Sequence, residues 1–207
     1  MGKFGDGMPE QGGGWFKFAE GNNRMRIVSD GAVMSEHFKQ GGGGGICYGR
    51  DKGCPGCKEG LQLTYKKMYR IIDRKKVRDA EGNEKDAGMK LVKLGNKIIK
   101  QLDALSENED YAFDSFPMPY DITINAVGAG TKEVEYSVVP SPKIIPLTPE
   151  EEAALVKEHS PADIVKTMKE KQMKKDGNLV DAPGAVAQAS SNIEYPKEDI
   201  DPDQIPF

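Results

Sequence analysis

Met89-Lys90-Leu91-Val92-Lys93-Leu94-Gly95-Asn96-Lys97-Ile98-Ile99-Lys100-Gln101-Leu102-Asp103-Ala104-Leu105 changes its period halfway along. Met89 to Leu94 reads as a strand, and Gly95-Asn96 offers a break and an N-cap. Ile98, Ile99, Leu102 and Leu105 then recur at i, i+1, i+4 and i+7, the spacing of a one-sided helix. Such a helix must cover one side of a sheet, so the fold turns on how many strands stand before and after it.

Two extended segments precede it. The first runs from Trp15 to Val28: Phe16 and Phe18 share one face, Trp15 and Lys17 the other, and after a Gly21-Asn22-Asn23 turn Met25 and Ile27 alternate with Arg24, Arg26 and Val28. The second runs from Tyr65 to about Ile72, with Met68 and Ile72 toward a core and Tyr65, Lys67 and Tyr69 opposite, although Lys66 and Arg70 share the parity of Met68. Polar residues 74–88, with Glu81-Gly82-Asn83 as a turn, form the tip of a hairpin that returns through Met89–Leu94. Beyond the helix, Asp121–Val127 and Lys132–Val139 read as strands around Gly128-Ala129-Gly130. Three strands, a helix and two strands is the order of an OB-fold, so the expected class is all-β with minor α, a five-stranded barrel.

The 207 residues hold one domain and its appendages. Residues 1–14 read as a flexible lead-in, 15–146 as the OB domain with a metal-binding insertion at 31–64, and 147–207 as an acidic tail. That tail has helical stretches near Pro149–Val156 and Pro161–Lys174 and disorder over 176–207. The net charge of -4 hides a split. Residues 1–146 hold 22 basic and 20 acidic side chains, whereas 147–207 hold 7 and 13. Thr64–Arg78 alone carries seven Lys or Arg against the single acid Asp73. The absence of an apolar run of membrane length, and of a secretory stretch in Met1–Gly14, gives the expectation of a soluble protein inside the cell.

Three cysteines cannot close a disulfide framework, and all lie between positions 47 and 57. With His37, the residues Cys47, Cys54 and Cys57 supply four soft or borderline ligands, the complement of a tetrahedral zinc. In Cys54-Pro55-Gly56-Cys57 proline fixes one φ and glycine can take a positive one, so both sulfurs can turn to a single ion. Gly41–Gly45 would be costly to order without such a tie. A redox pair would leave Cys47 unused, free buried thiols beside an unrelated histidine are a further alternative, and a catalytic zinc would keep one position open. Four available ligands point to a structural site.

The aromatic and basic side chains suggest a surface for single-stranded nucleic acid, because exposed bases stack on rings while cations follow the phosphates. Trp15, Lys17, Arg24 and Arg26 are assigned to it from the first strand, and Tyr65, Lys66, Lys67, Tyr69, Arg70 and Arg74 from the second. Tyr48 and Arg50 of the cysteine loop complete the set.

Asp199-Ile200-Asp201-Pro202-Asp203-Gln204-Ile205-Pro206-Phe207 resembles the acidic Ile-Pro-Phe tip of bacterial single-stranded DNA-binding proteins. That resemblance implies that Asp199, Asp201, Asp203, Ile205, Pro206 and Phe207 dock on replication and recombination proteins. A set of one histidine and three cysteines inserted early in an OB-fold is similar to the zinc site of T-even-phage single-stranded DNA-binding proteins, with shorter intervals between ligands and without their basic N-terminal arm. The family implied is that of bacteriophage single-stranded DNA-binding proteins. The expectations are a non-enzymatic protein of DNA replication, recombination and repair in the host cytoplasm, with no membrane partner, monomeric in solution and able to associate along DNA. A metal-dependent nuclease and a zinc-dependent protein adaptor are the alternatives.

Overall fold

A computed structural model describes residues 14–39, 45–78, 81–113 and 115–178. Six strands form one antiparallel sheet that is not closed. They are β1 (Gly21–Ile27), β2 (Ala32–His37), β3 (Leu63–Arg78), β4 (Glu84–Gly95), β5 (Tyr120–Val127) and β6 (Glu135–Ile144). The helices are α1 (Pro55–Lys58), α2 (Asn96–Ser106), α3 (Pro149–Lys157) and α4 (Pro161–Lys175). The mostly-β class, the helix after the third expected strand and the two strands beyond it agree with the sequence.

The β3–β4 hairpin is the spine of the sheet, in register from Lys66↔Gly95 to Arg78↔Glu84 with an irregularity between Asp73 and Lys76. Both strands reach further into residues 74–88 than expected. A ladder with both faces wet needs no apolar alternation, so its polar sequence imitates a loop.

β1 and β2 lie end to end along the other edge of β3. Ile27 stands opposite Ile71, the Val28 N–H donates to the Arg70 carbonyl at 2.9 Å, and Ala32 stands opposite Met68. β2 departs from the sequence expectation, because six residues of strand are hidden at the start of a glycine-rich stretch. β5 then returns to the free edge of β1, from Gly21↔Ala126 to Met25↔Ile122, and β6 pairs with β5. With β2 treated as an extension of β1, β5-β1-β3-β4 is a Greek-key order, the fourth strand coming back beside the first. One face of this sheet supplies the main core, where Met25, Ile27, Ile71, Leu94, Ile122 and Ile124 meet Ile98 and Ile99 of α2.

Trp15 does not belong to β1. It forms an isolated parallel bridge with Leu91 of β4, and the Phe16 N–H donates to the Leu91 carbonyl at 2.8 Å. Asn23 enforces the break: its side chain accepts from the Ala19 N–H at 2.9 Å and donates to the Ala19 and Ile124 carbonyls at 2.9 and 3.2 Å. Phe16 and Phe18 pack on the main core, with the Phe18 ring 5.1 Å from that of Tyr136 on β6. The segment therefore passes from β4 to β6, between the two ends of the open sheet.

The opposite face of β2, β3 and β4 carries a second core. Met34, Met68 and Leu91 pack there with Val165 of α4, and Trp15, Ile164 and Met168 close around them. β3 is thus covered on both faces, and adjacent Met68 and Tyr69 are both buried. α3 starts with a capping box: the Thr148 hydroxyl accepts from the Glu151 N–H at 3.2 Å, and the Glu151 carboxylate accepts from the Thr148 N–H at 3.0 Å. α4 ends on Asp176, Gly177 (φ 72°) and Asn178, ordered where disorder was expected. The rest of the expected tail, with the acidic tip, and residues 1–13 lie outside the described residues. Among the described residues no helix is long and apolar enough to cross a membrane.

Candidate metal centre and interface residues

His37 ends β2 and is held by both neighbours of that strand. It stands opposite Leu63 of β3, while the chain after the glycine run returns along the outer edge. There the His37 N–H donates to the Gly45 carbonyl at 2.9 Å and the Cys47 N–H to the Ser35 carbonyl at 2.7 Å. His37 and Cys47 are therefore fixed to one rigid strand. Cys54 caps α1 and Cys57 lies within it, and the preceding loop turns through Gly49 (φ 109°) and Gly53 (φ 80°).

The potential ligand atoms of His37, Cys47, Cys54 and Cys57 all lie within 4.8 Å of one another. Cys57 Sγ is 3.4 Å from Cys47 Sγ and 3.4 Å from His37 Nε2. His37 Nδ1 is 3.3 Å from the Leu61 carbonyl, so donation from Nδ1 leaves the Nε2 lone pair facing the sulfurs. The three cysteines are free thiols. Gly56 keeps a negative φ, so the positive one open to glycine is not used. Its lack of a side chain matters for space instead, since a Cβ there would stand 2.5 Å from the His37 ring.

The sulfurs are electrostatically unequal. Burial pushes the Cys54 thiol up, but the backbone donors of Cys57, Tyr48 and Gly56 outweigh it and leave its pKa below the ordinary thiol value. Cys57 is pushed up to about 11, first by its hydrogen bond with Cys47 and then by burial. Crowded sulfurs that resist sharing negative charge are suited to a cation among them. The four residues could hold one metal ion with all four positions filled by protein.

The expected nucleic-acid surface is not brought together as a whole. Arg26 is 1% exposed, with Nε donating to Asp121 Oδ1 at 2.7 Å and Nη1 to the Ile145 carbonyl. Arg70 is 3% exposed and spans Glu158 and the His159 carbonyl, both at 2.7 Å. Arg74 pairs with Asp86 at 2.7 Å, with Asp121 at 3.3 Å and with Glu151. Tyr69 lies in the main core, and burial, then Asp103 and Asp30, push its pKa up to about 12. Tyr48 is buried: its hydroxyl donates to Asp176 Oδ2 at 3.0 Å and accepts from Asn178 Nδ2 at 2.7 Å. Trp15 is half-buried on the second core with Lys93 Nζ 4.9 Å above its ring. These six are corrections with more than one cause. α4 covers Trp15, residues at its end hold Tyr48, and Glu158 and Glu151 neutralise Arg70 and Arg74. Asp121 of β5 holds Arg26, and Tyr69 faces the main core on the other side of the sheet.

Lys17, Arg24, Arg50 and Tyr65 remain exposed and Lys67 is half-buried, while Arg24 is paired with Asp121 at 2.9 Å. Lys66 joins Glu36 at 2.7 Å, and Lys93 reaches the same carboxylate at 2.5 Å. The sequence reading missed Asp121 and Glu36 as hubs, since each sits in a polar-looking stretch, as well as Leu61, which acts through its carbonyl. The fold and cluster define a class: a mostly-β protein whose open Greek-key sheet carries a cluster of one histidine and three cysteines beside its longest hairpin. No protein-family model and no curated protein sequence matches the chain.

Proposed function

We propose that the protein binds single-stranded DNA without strong sequence preference, through a partly open OB barrel whose β2–β3 extension is pinned by a structural zinc. The observation that carries this reading is Tyr65, 55% exposed, beside Lys67 on the same face of β3. A large ring left in water next to a cation is costly to maintain for packing alone and is suited to an unpaired base and its phosphate. The Greek-key strand order supports the barrel reading, because an OB-fold is a five-stranded, partly open Greek-key barrel. The donor set supports zinc. Tetrahedral coordination at Zn–S ~2.3 Å separates sulfurs by ~3.7 Å, and the cluster's spacings lie around that value.

On this reading the DNA contacts contract to Lys17, Arg24, Arg50, Tyr65 and Lys67. The Asp199–Phe207 segment recruits replication and recombination proteins of a phage or its host, and the role is non-enzymatic. Anisotropy of a labelled oligothymidine, titrated at low and moderate salt, tests it. Binding should weaken with salt by a slope of about 0.7 per phosphate, and Tyr65→Ala should cost about 1–3 kcal/mol. Absence of binding even at low salt would overturn the proposal.

A further inference from the structure

We infer that the groove between β2, the cysteine loop and α4 is a second contact site for the same single strand, holding phosphates on Lys52, Lys166 and Lys169. It rests on the single-stranded DNA reading above and extends it to residues outside the sheet face on which that reading was built.

The groove is about 460 Å³, large enough for a nucleobase with its sugar-phosphate. One wall is a face of α4: Val165 turns into the second core, whereas Lys166 and Lys169 stand along the rim and Met173 closes the end. The other wall is Lys52 with the buried Tyr48 ring, and Val33, 59% exposed, lies at the edge of β2. Against three lysines the lining has one acid, Glu170. Among the described residues these lysines enter none of the ion pairs, although the other cations of the same face are nearly all matched to carboxylates. α4 thus carries apolar residues where it packs, and Lys166 and Lys169, outside the ion pairs of the described residues, where it faces the groove.

Lysines around an apolar floor suit a ligand that offers both negative charge and unpaired apolar faces. A duplex offers phosphates but hides its base faces. In the β2–β3 register Val33 stands opposite Lys67 and Ser35 opposite Tyr65, so Val33, at the margin of the groove, shares a sheet face with the exposed ring and cation, while α4 packs on the other face. A strand stacked on Tyr65 would reach this cationic groove by crossing the β2 edge at Val33. An acidic peptide has overlapping chemistry, and the test separates the two.

The full chain is titrated with labelled oligothymidine across a salt series, alongside a Lys166→Glu/Lys169→Glu variant and a Lys143→Glu/Lys157→Glu control. The lysines lie on the helix surface, so circular dichroism and melting should be unchanged. The groove variant should bind at least tenfold more weakly at low salt, with a slope smaller by about 1.4 for two lost phosphate contacts. The control should match the unmodified chain. If that chain binds and the groove variant binds equally well, the groove inference fails while the Tyr65 reading stands. If the unmodified chain binds no oligonucleotide, both fail. If a labelled peptide of residues 199–207 depends on Lys166 and Lys169 while the oligonucleotide does not, the groove is a peptide site and the inference is overturned.

Discussion

Asp121 shows how one side chain can redirect a functional reading. Its carboxylate is 2% exposed and receives Arg26 at 2.7 Å, Arg24 at 2.9 Å and Arg74 at 3.3 Å. A guanidinium held away from water needs a fixed counter-charge, and here one acid serves three. Asp121→Ala would leave Arg26 buried and unpaired, so equilibrium urea denaturation should show a loss of about 3–5 kcal/mol. A loss within the range of ordinary surface changes, about 0.5 kcal/mol, would show that water replaces the carboxylate. None of this was legible in Asp121-Ile122-Thr123-Ile124-Asn125, whose alternation assigns the acid to solvent. The cluster of His37, Cys47, Cys54 and Cys57 was legible, because a His and three Cys so close in sequence need only a local loop to meet. Charge pairs across 47 or 95 positions leave no local trace.

At the scale of elements, Glu36 is the clamp that ties three strands. From β2 it receives Lys66 of β3 at 2.7 Å and Lys93 of β4 at 2.5 Å, while Lys93 also lies over Trp15. Burial alone would raise the Glu36 pKa, but the hydrogen bonds from Lys66 and Lys93 outweigh it and hold the carboxyl below its ordinary value. A folded-state pKa below the unfolded one means that the stabilisation is complete above the ordinary carboxylate range and is lost as pH falls through the depressed value. Thermal melts of the parent chain and Glu36→Gln should therefore converge as pH falls from about 6 toward 3. Parallel curves would show that the clamp contributes nothing. Strand identity was largely legible where one face is wet and the other dry. It was not legible for β2, or for the parity of β3, because α4 supplies a second dry face from about 100 residues further along the chain.

For the whole molecule, the cysteine loop and the end of α4 behave as one unit. The Tyr48 hydroxyl donates to Asp176 at 3.0 Å, and the Asn178 side chain donates to Tyr48 at 2.7 Å and to the Gly53 carbonyl at 3.1 Å. Cys47 and Cys54 flank Tyr48 in the same small core. A metal that orders the loop thereby orders the last turn of α4 and one wall of the groove. On the proposal that the cluster holds zinc, treatment with a chelator should lower the melting temperature and speed amide exchange in residues 45–58 and 172–178, with α2 little affected. Unchanged exchange at 172–178 would uncouple the two.

The sequence by itself determined the order of β1, β3 and β4 before α2 and of β5 and β6 after it, the local ligand cluster and the separation of charge between body and tail. Those features arise from period, spacing and composition within short windows. Tertiary structure alone decided which cations are free, because freedom depends on carboxylates from α3 and on the bulk of α4, and both arrive from far along the chain. It also left the sheet open, with Phe16 and Phe18 lying between the strands that would otherwise meet. Which edges pair is a competition among distant segments for the same backbone donors and acceptors, and no local pattern records its outcome.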